Sequence, residues 1–239
     1  MLVLAIDTCD SRGGVALLSD GDLLSTAEHA PGSDYSSWLL PAVTHVLQSA
    51  GAVMAEIGGY AVTAGPGSFT GVRVGLTTVK AWAEVYGKPI AAVSRLEAIA
   101  EQGPGTAEGI AAFVDAQRGQ VFGAVYRREG DGLSRISDEM VIAPGKFLEE
   151  AARLAGEEKM FWLSPDPSHM ACEPGWKERE VKGETIESVS AFLAPVIGRI
   201  GTRRLRHGQS VDALTLDANY VRRSDAEIFW KAGNAAHGR

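Results

Sequence analysis

The sequence predicts an α/β protein of two related lobes, each opening with a mixed sheet and its own aspartate. One unit occurs twice: the apolar run Leu2 to Ile6 ends in Asp7 and returns at Gly14 to Leu18, and Gly109 to Val114 ends in Asp115 and returns at Val121 to Tyr126. Apolar runs of strand length alternate with stretches of helical apolar spacing. Between a strand and the longest such stretch lies Gly65-Pro66-Gly67-Ser68-Phe69-Thr70-Gly71, a glycine-rich turn that suits either phosphate or close backbone packing. The spacing of the repeated unit is too long for a solenoid and fits a duplicated lobe.

Local chemistry sets the elements in order. Leu2 to Ile6 is a central strand by its unbroken apolar run. Asp20-Gly21 is a hairpin signal between Gly14–Leu18 and a third strand, Asp22 to Glu28. Helix one is predicted from about Ser36 to Ala50, with Leu39, Leu40, Val43, Val46 and Leu47 at helical spacing and Gly51 as its stop. Tyr60 to Ala64 is a buried strand broken by Gly65-Pro66-Gly67. Ser68 or Thr70 caps helix two, which runs to about Tyr86. Pro89 to Val93 is a fifth strand, and Ser94 to Ala100 a short helix with Glu97 placed for a capping box.

Gln102-Gly103-Pro104-Gly105 reads as the linker, giving an N-terminal lobe at 1–103, a C-terminal lobe at 104–223 and a flexible tail at 224–239. In the second lobe, Asp131-Gly132 is a turn, Ser137 to Ile142 a strand, and Pro144 to Leu154 a helix with Pro in its first turn. Lys159 to Leu163 is a strand, and Ser164 to Gly183 is irregular. Val189, Leu193, Val196 and Ile200 predict a helix over 186–200 that Pro195 kinks.

Composition narrows the function. A hydrophobic content of 45% and a charged content of 22% are those of a globular chain. A net charge of −7 argues against a stand-alone nucleic-acid binder. Cys9 and Cys172 give no disulfide framework and fit a reducing, cytoplasmic setting. The N-terminus lacks a basic leader and no apolar run reaches membrane-spanning length, so no membrane role is expected.

Asp7, Asp10 and Asp115 are the candidate carboxylates: strand-end aspartates facing a cleft can hold Mg²⁺ on a nucleotide, or each can cap its own turn. The glycine turn is neither a Walker loop, having no Lys after its glycines, nor Gly-x-Gly-x-x-Gly, being spaced too widely. The five histidines show no metal-ligand spacing, so no metal is expected. Ser68 lacks the Gly-x-Ser-x-Gly elbow, and Cys9 beside two aspartates should have a raised pKa, so neither is a nucleophile. Arg203-Arg204-Leu205-Arg206-His207 is the only basic run and reads as a helix end. In helix two, Arg73, Thr77, Lys80 and Glu84 form one polar stripe on an apolar arc of roughly 220°, so the helix is sandwiched or shared with a partner.

Together Leu-Ala-Ile-Asp-Thr at 4–8, Gly-Pro-Gly-Ser-Phe-Thr-Gly-Val-Arg-Val-Gly at 65–75, Val-Ser-Arg-Leu-Glu-Ala-Ile-Ala at 93–100 and Val-Asp-Ala-Gln-Arg-Gly-Gln-Val-Phe at 114–122 resemble the TsaB (YeaZ) family of bacterial tRNA threonylcarbamoyladenosine synthesis. Tyr220-Val221-Arg222-Arg223 resembles that family's C-terminal signature. The resemblance implies an actin/Hsp70-like (ASKHA, ribonuclease H-like) fold and a non-catalytic role without cofactor, with Asp7, Thr8 and Asp115 a vestigial nucleotide cleft at most. The catalytic paralogue, TsaD, takes its metal through His-x-x-x-His at the segment matching 95–99, where this chain has Arg95 and Ile99. Where the family often has His before helix one, Tyr35 stands here. The implied partners are TsaD, an ATPase partner (TsaE), a second copy of the chain when alone, and tRNA only through the complex.

The contrasting expectation is an independent ATP-dependent or metallopeptidase-like enzyme of the same superfold, against which the missing histidines and nucleotide fingerprint count. The partner surface is expected on the two N-lobe helices, with Trp38, Leu39, Val72, Leu76 and Val79 at its centre and Arg73 and Lys80 at its rim; Val72→Glu or Leu76→Glu is expected to break pairing without unfolding the chain.

Overall fold

The computed structural model describes residues 1–30, 32–130 and 132–221. Asp131 of the expected turn, Arg222-Arg223 of the C-terminal signature and the tail at 224–239 lie outside the described residues. Among the described residues no helix is long and apolar enough to cross a membrane.

The first sheet takes three antiparallel strands, β1 (Leu2–Asp7), β2 (Gly14–Ser19) and β3 (Asp22–Glu28), and adds β4 (Ile57–Gly65) and β5 (Ile90–Ser94) parallel to β1. Its order is β3-β2-β1-β4-β5. Helices α1 (Tyr35–Ser49) and α2 (Phe69–Tyr86) lie side by side on one face. Leu39, Val43 and Val46 of α1 and Val72, Leu76 and Val79 of α2 pack on Leu4, Ile6, Val15 and Val62. Alternation along the strands sends Val3, Ala5, Ala16 and Leu18 to the opposite face.

The short helix α3 (Arg95–Ala100) is capped by the Ser94 hydroxyl, which accepts from the Leu96 and Glu97 N–H groups at 3.1 and 3.3 Å. The Glu97 carboxylate, expected to close a capping box, is held instead by Arg204 at 2.6 and 2.7 Å. The second sheet contains β6 (Gly109–Asp115), β7 (Val121–Glu129), β8 (Gly132–Arg135), β10 (Met160–Ser164) and β11 (Thr185–Ser188) in the order β11-β10-β6-β7-β8, with β9 (Met140–Ile142) paired to β7. Helix α4 (Pro144–Ala155) covers it with Phe147, Leu148 and Ala151, which meet Phe113, Val125 and Trp162. The stretch 164–183, expected to be irregular, carries two short helices, α5 (Ser168–Ala171) and α6 (Trp176–Val181).

The helix expected over 186–200 is a correction. Residues 185–188 are strand, and α7 runs from Ala194 to Arg206. Pro195 lies in its first turn rather than at a kink, where the missing N–H has no intrahelical acceptor to lose. The 103/104 division separates the two sheets, yet α7 crosses back and lies on the first one, burying Val196, Ile197 and Ile200 against Ala5, Leu18 and Ala61. The basic run that ends α7 is ion-paired within the fold: Arg203 to Glu101 at 2.8 Å, Arg204 to Glu97, and Arg206 to Asp20 at 2.6 Å.

Close contact between α7 and the sheet depends on Gly201, where an added Cβ would stand 2.4 Å from the Ala61 Cβ. Gly201→Val is expected to destabilise the protein by about 1–3 kcal/mol or more, as overpacking of a filled core does. Urea unfolding measures it, and a midpoint equal to wild type would contradict this packing.

Candidate functional site

The glycine-rich turn folds against the β1–β2 turn, and backbone approach explains its glycines. A Cβ at Gly67 would lie 2.3 Å from the Cys9 carbonyl oxygen, and one at Gly71 only 2.0 Å from that of Thr8. The Thr8 hydroxyl donates to the Gly71 carbonyl at 2.6 Å, and the Ser68 N–H to the Cys9 carbonyl at 2.8 Å. Ser68, not Thr70, caps α2: its hydroxyl accepts from the Gly71 N–H at 3.3 Å while its carbonyl takes the Val72 N–H at 2.9 Å. Of the amides of this turn, those of Ser68, Gly71 and Val72 are thus engaged inside the protein rather than offered to a ligand.

Both strand-end aspartates serve their own turns. Buried Asp7 accepts the Cys9 N–H at 3.0 Å, and burial raises its carboxyl pKa despite nearby Arg95. Asp115 takes the Gln117 backbone N–H at 2.8 Å and the Gln117 side-chain amide at 2.7 Å. Asp115 lines the inter-lobe cleft, whereas Asp7 and Thr8 do not. Burial first, and then Asp7, push the Cys9 thiol well above its ordinary pKa, as its sequence context led one to expect.

The cleft itself, about 850 Å³, is organised by charges that the sequence only partly disclosed. Asp10 accepts from buried Arg95 and from Arg12 at 3.1 Å, and Arg12 reaches across to Asp166 of the second lobe at 2.6 Å. Burial alone would raise the Asp10 pKa, but Arg95 and Arg12 outweigh it and bring it down to about 2. A second bridge uses Glu139 of the second lobe, which accepts from Ser94 and Asn219 and pairs with Arg135 at 3.2 Å. Arg12, Asp166 and Glu139 carried no motif; only the pairing of distant segments reveals them. Among the described residues no three His, Cys, Asp or Glu side chains converge as metal ligands would.

A second concavity, a groove of about 740 Å³, runs along the outer surface of α1 and α2 between Leu40, Phe69, Val74, Ala81 and Trp82. Here the sequence expectation needs correcting. Val72, Leu76 and Val79 are buried under α2 and Trp38 is half-buried, so they do not form the outer surface, while Leu39, itself buried, lies at the floor of the groove. The reason is helix phase: Gly71 and Gly75 face Thr8, which turns their apolar neighbours inward with them. Leu40 and Phe69 are the large apolar side chains of the groove lining that stay exposed, at 56% and 39%, while Val85 and Tyr86 are exposed beyond it at the end of α2. Arg73, expected as a rim charge, lies 3.6 Å over the Phe69 ring and donates to the Tyr220 hydroxyl at 2.8 Å. Lys80 is half-buried and outside the groove lining. Tyr35 borders both concavities; its hydroxyl accepts the Gly13 N–H at 2.9 Å and donates to the Asp10 carbonyl.

Residues 30–171 match the family model described as "TsaD: tRNA N6-adenosine threonylcarbamoyltransferase". Over its whole length the chain is similar to the tRNA threonylcarbamoyladenosine biosynthesis protein TsaB of Escherichia coli, 34% identical across 97% of each chain. Among solved structures, a Pseudomonas aeruginosa protein described as similar to peptidase YeaZ superposes with a TM-score of 0.74 at 25% identity, covering 92% of this chain and 99% of that one. The ROK hexokinase of Thermus thermophilus shares the fold alone, with a TM-score of 0.54 at 11% identity over 87% of this chain and all of that one. The two-lobed actin/Hsp70-like architecture that the family resemblance implied, and with which the duplicated unit agrees, is therefore the one adopted.

Asp10→Asn should expose the worth of the cleft pair. Arg95 would keep a buried charge with its main partner neutralised, a loss of about 3 kcal/mol at pH 7. Because the folded-state pKa of Asp10 is depressed, its contribution is complete above the unfolded carboxylate value of about 4 and fades as pH falls through 2. Urea unfolding of both proteins should show the gap at pH 7 and a smaller one at pH 3; an equal gap at both would contradict the assignment.

Proposed function

The chain belongs to the TsaB family of tRNA threonylcarbamoyladenosine biosynthesis proteins, and on that premise we propose that it acts there as a non-catalytic subunit that binds and supports a catalytic paralogue of the TsaD type. The modification is the threonylcarbamoyl group on adenosine 37 of tRNAs that read codons beginning with A. The observation that carries the reading is Arg95. It occupies the segment that matches the paralogue's metal-binding histidines, is buried, and is bound to Asp10 inside the cleft. Ile99, at the second such position, is fully buried. Among the described residues, each aspartate that lines the cleft has its own partner: Asp10 with Arg95 and Arg12, Asp166 with Arg12, and Asp115 with Gln117.

The groove of α1 and α2 is the surface proposed for pairing, with the paralogue or with a second copy. An apolar hollow bordered by exposed Leu40 and Phe69 fits a partner helix laid lengthwise. An ATPase partner and tRNA come to the chain through the assembled complex in this reading, since the basic run of α7 is ion-paired internally.

Purified protein should neither hydrolyse ATP nor cleave peptides above background, yet be required when the paralogue and its partners modify tRNA in a reconstituted assay. Metal-dependent turnover by this chain alone, abolished by Asp10→Ala, would overturn the reading in favour of an independent enzyme.

Leu40→Glu should weaken paralogue binding at least 100-fold while leaving the circular dichroism spectrum unchanged, because the side chain is exposed and a charge would sit unpaired in the interface. Leu76→Glu, buried beneath α2, should unfold the chain instead. Light scattering with pull-down decides; undiminished binding by Leu40→Glu places the interface elsewhere.

A further inference from the structure

We propose that Ser33 and His29, at the rim of the inter-lobe cleft, form a nucleophile–base pair that accepts an acyl group from a small activated ester. Both residues follow β3 and precede α1, and both line the cleft together with Ser11 and Tyr35. The Ser33 hydroxyl lies 2.9 Å from His29 Nε2, and His29 Nδ1 lies 2.9 Å from the Ser11 carbonyl oxygen. A carbonyl oxygen can only accept, so Nδ1 carries the imidazole proton and leaves Nε2 as the acceptor that faces Ser33. This is the order of a nucleophile, a base and a group that orients the base, with a backbone carbonyl in the third place. The pair goes beyond the subunit role and does not rest on it.

Burial fixes one member of the pair and exposure frees the other. His29 is buried, its ring stacked on Tyr35 at 4.0 Å and at right angles to Trp38 at 5.0 Å. These aromatic neighbours also favour the imidazolium that proton transfer creates. Ser33 is exposed, so an ester entering the cleft reaches its oxygen. The hydroxyl also stands 3.1 Å from the Ala30 carbonyl, but of the two acceptors only Nε2 can take its proton away. In the step, Ser33 Oγ bonds to the acyl carbon while His29 Nε2 takes the hydroxyl proton; the ester's alkoxide leaves with the electron pair of the broken bond and receives that proton from Nε2. Water, deprotonated by Nε2 in turn, then releases the carboxylic acid and restores Ser33. Just beyond Ser33, α1 begins at Tyr35; the Asp34 side chain makes no capping bond there, so first-turn amides are left to favour negative charge on the acyl oxygen.

The test exposes the full-length chain to p-nitrophenyl acetate, quenches it in acid and locates acetyl groups by peptide mass spectrometry. Ser37, an exposed serine whose hydroxyl donates to the Asp34 carbonyl at 3.0 Å, is the internal control. Acetylation of Ser33 is expected to be roughly 100-fold faster than that of Ser37, as a positioned base provides, and to fall to the Ser37 rate in His29→Gln. The accompanying burst of p-nitrophenol should vanish in Ser33→Ala, whose changed side chain is exposed. Urea-unfolded wild type makes the comparison without a variant: unfolding separates the pair and should equalise the two serines. Equal rates at Ser33 and Ser37 in the folded chain, a Ser33 rate unchanged in urea, or one unchanged by His29→Gln would each overturn the proposal. No ATP, peptide, tRNA or partner enters this experiment, so its outcome is separate from that of the reconstituted assay.

Discussion

Thr8 and Gly71 approach so closely that a methyl group at position 71 would stand 2.0 Å from the Thr8 carbonyl oxygen, and this contact between the β1–β2 turn and the start of α2 sets much else. It fixes the rotation of α2 about its axis. Val72, Leu76 and Val79 must then face the sheet, and Phe69, Arg73 and Val74 must face outward. It also engages the Ser68, Gly71 and Val72 amides within the protein, so a strand–glycine–helix arrangement that elsewhere receives phosphate here joins two parts of one lobe.

The cleft obeys a related logic. Asp10, at the turn that receives the glycines, accepts from Arg95 and Arg12, and Arg12 continues to Asp166 of the second lobe. Glu139 ties Ser94 and Asn219 to that lobe from the other side. In a two-lobed fold of this kind a cleft can hold a ligand between its halves; here ion pairs and hydrogen bonds of the chain itself span it. Tyr35 links the two regions, stacking on His29 at 4.0 Å while its hydroxyl fastens the Gly13–Asp10 turn.

The strands and helices of the first lobe were legible because each carries a local signal: the Asp20-Gly21 hairpin, the left-handed Gly51 that stops α1, the Ser68 cap of α2. The phase of α2 was not, since its apolar arc runs most of the way round and only Thr8, far away in sequence, decides which edge turns inward. The region 186–200 misled for a different reason. Val189, Leu193, Val196 and Ile200 have helical spacing, but the pattern spans a strand end and a helix start whose common burial against the first lobe and α3 produces it. The inter-lobe ion pairs were hidden because Arg12 and Asp166 lie on separate lobes, and no spacing rule connects them.

Amide hydrogen exchange of residues 65–72, with and without Mg-ATP, is the most direct test of the inward-facing glycine turn. The account predicts slow exchange at the Ser68, Gly71 and Val72 amides, comparable to that of the sheet, and no change when nucleotide is added. Rapid exchange at these amides that becomes slow with Mg-ATP would show that the turn is a phosphate site, and would contradict the account.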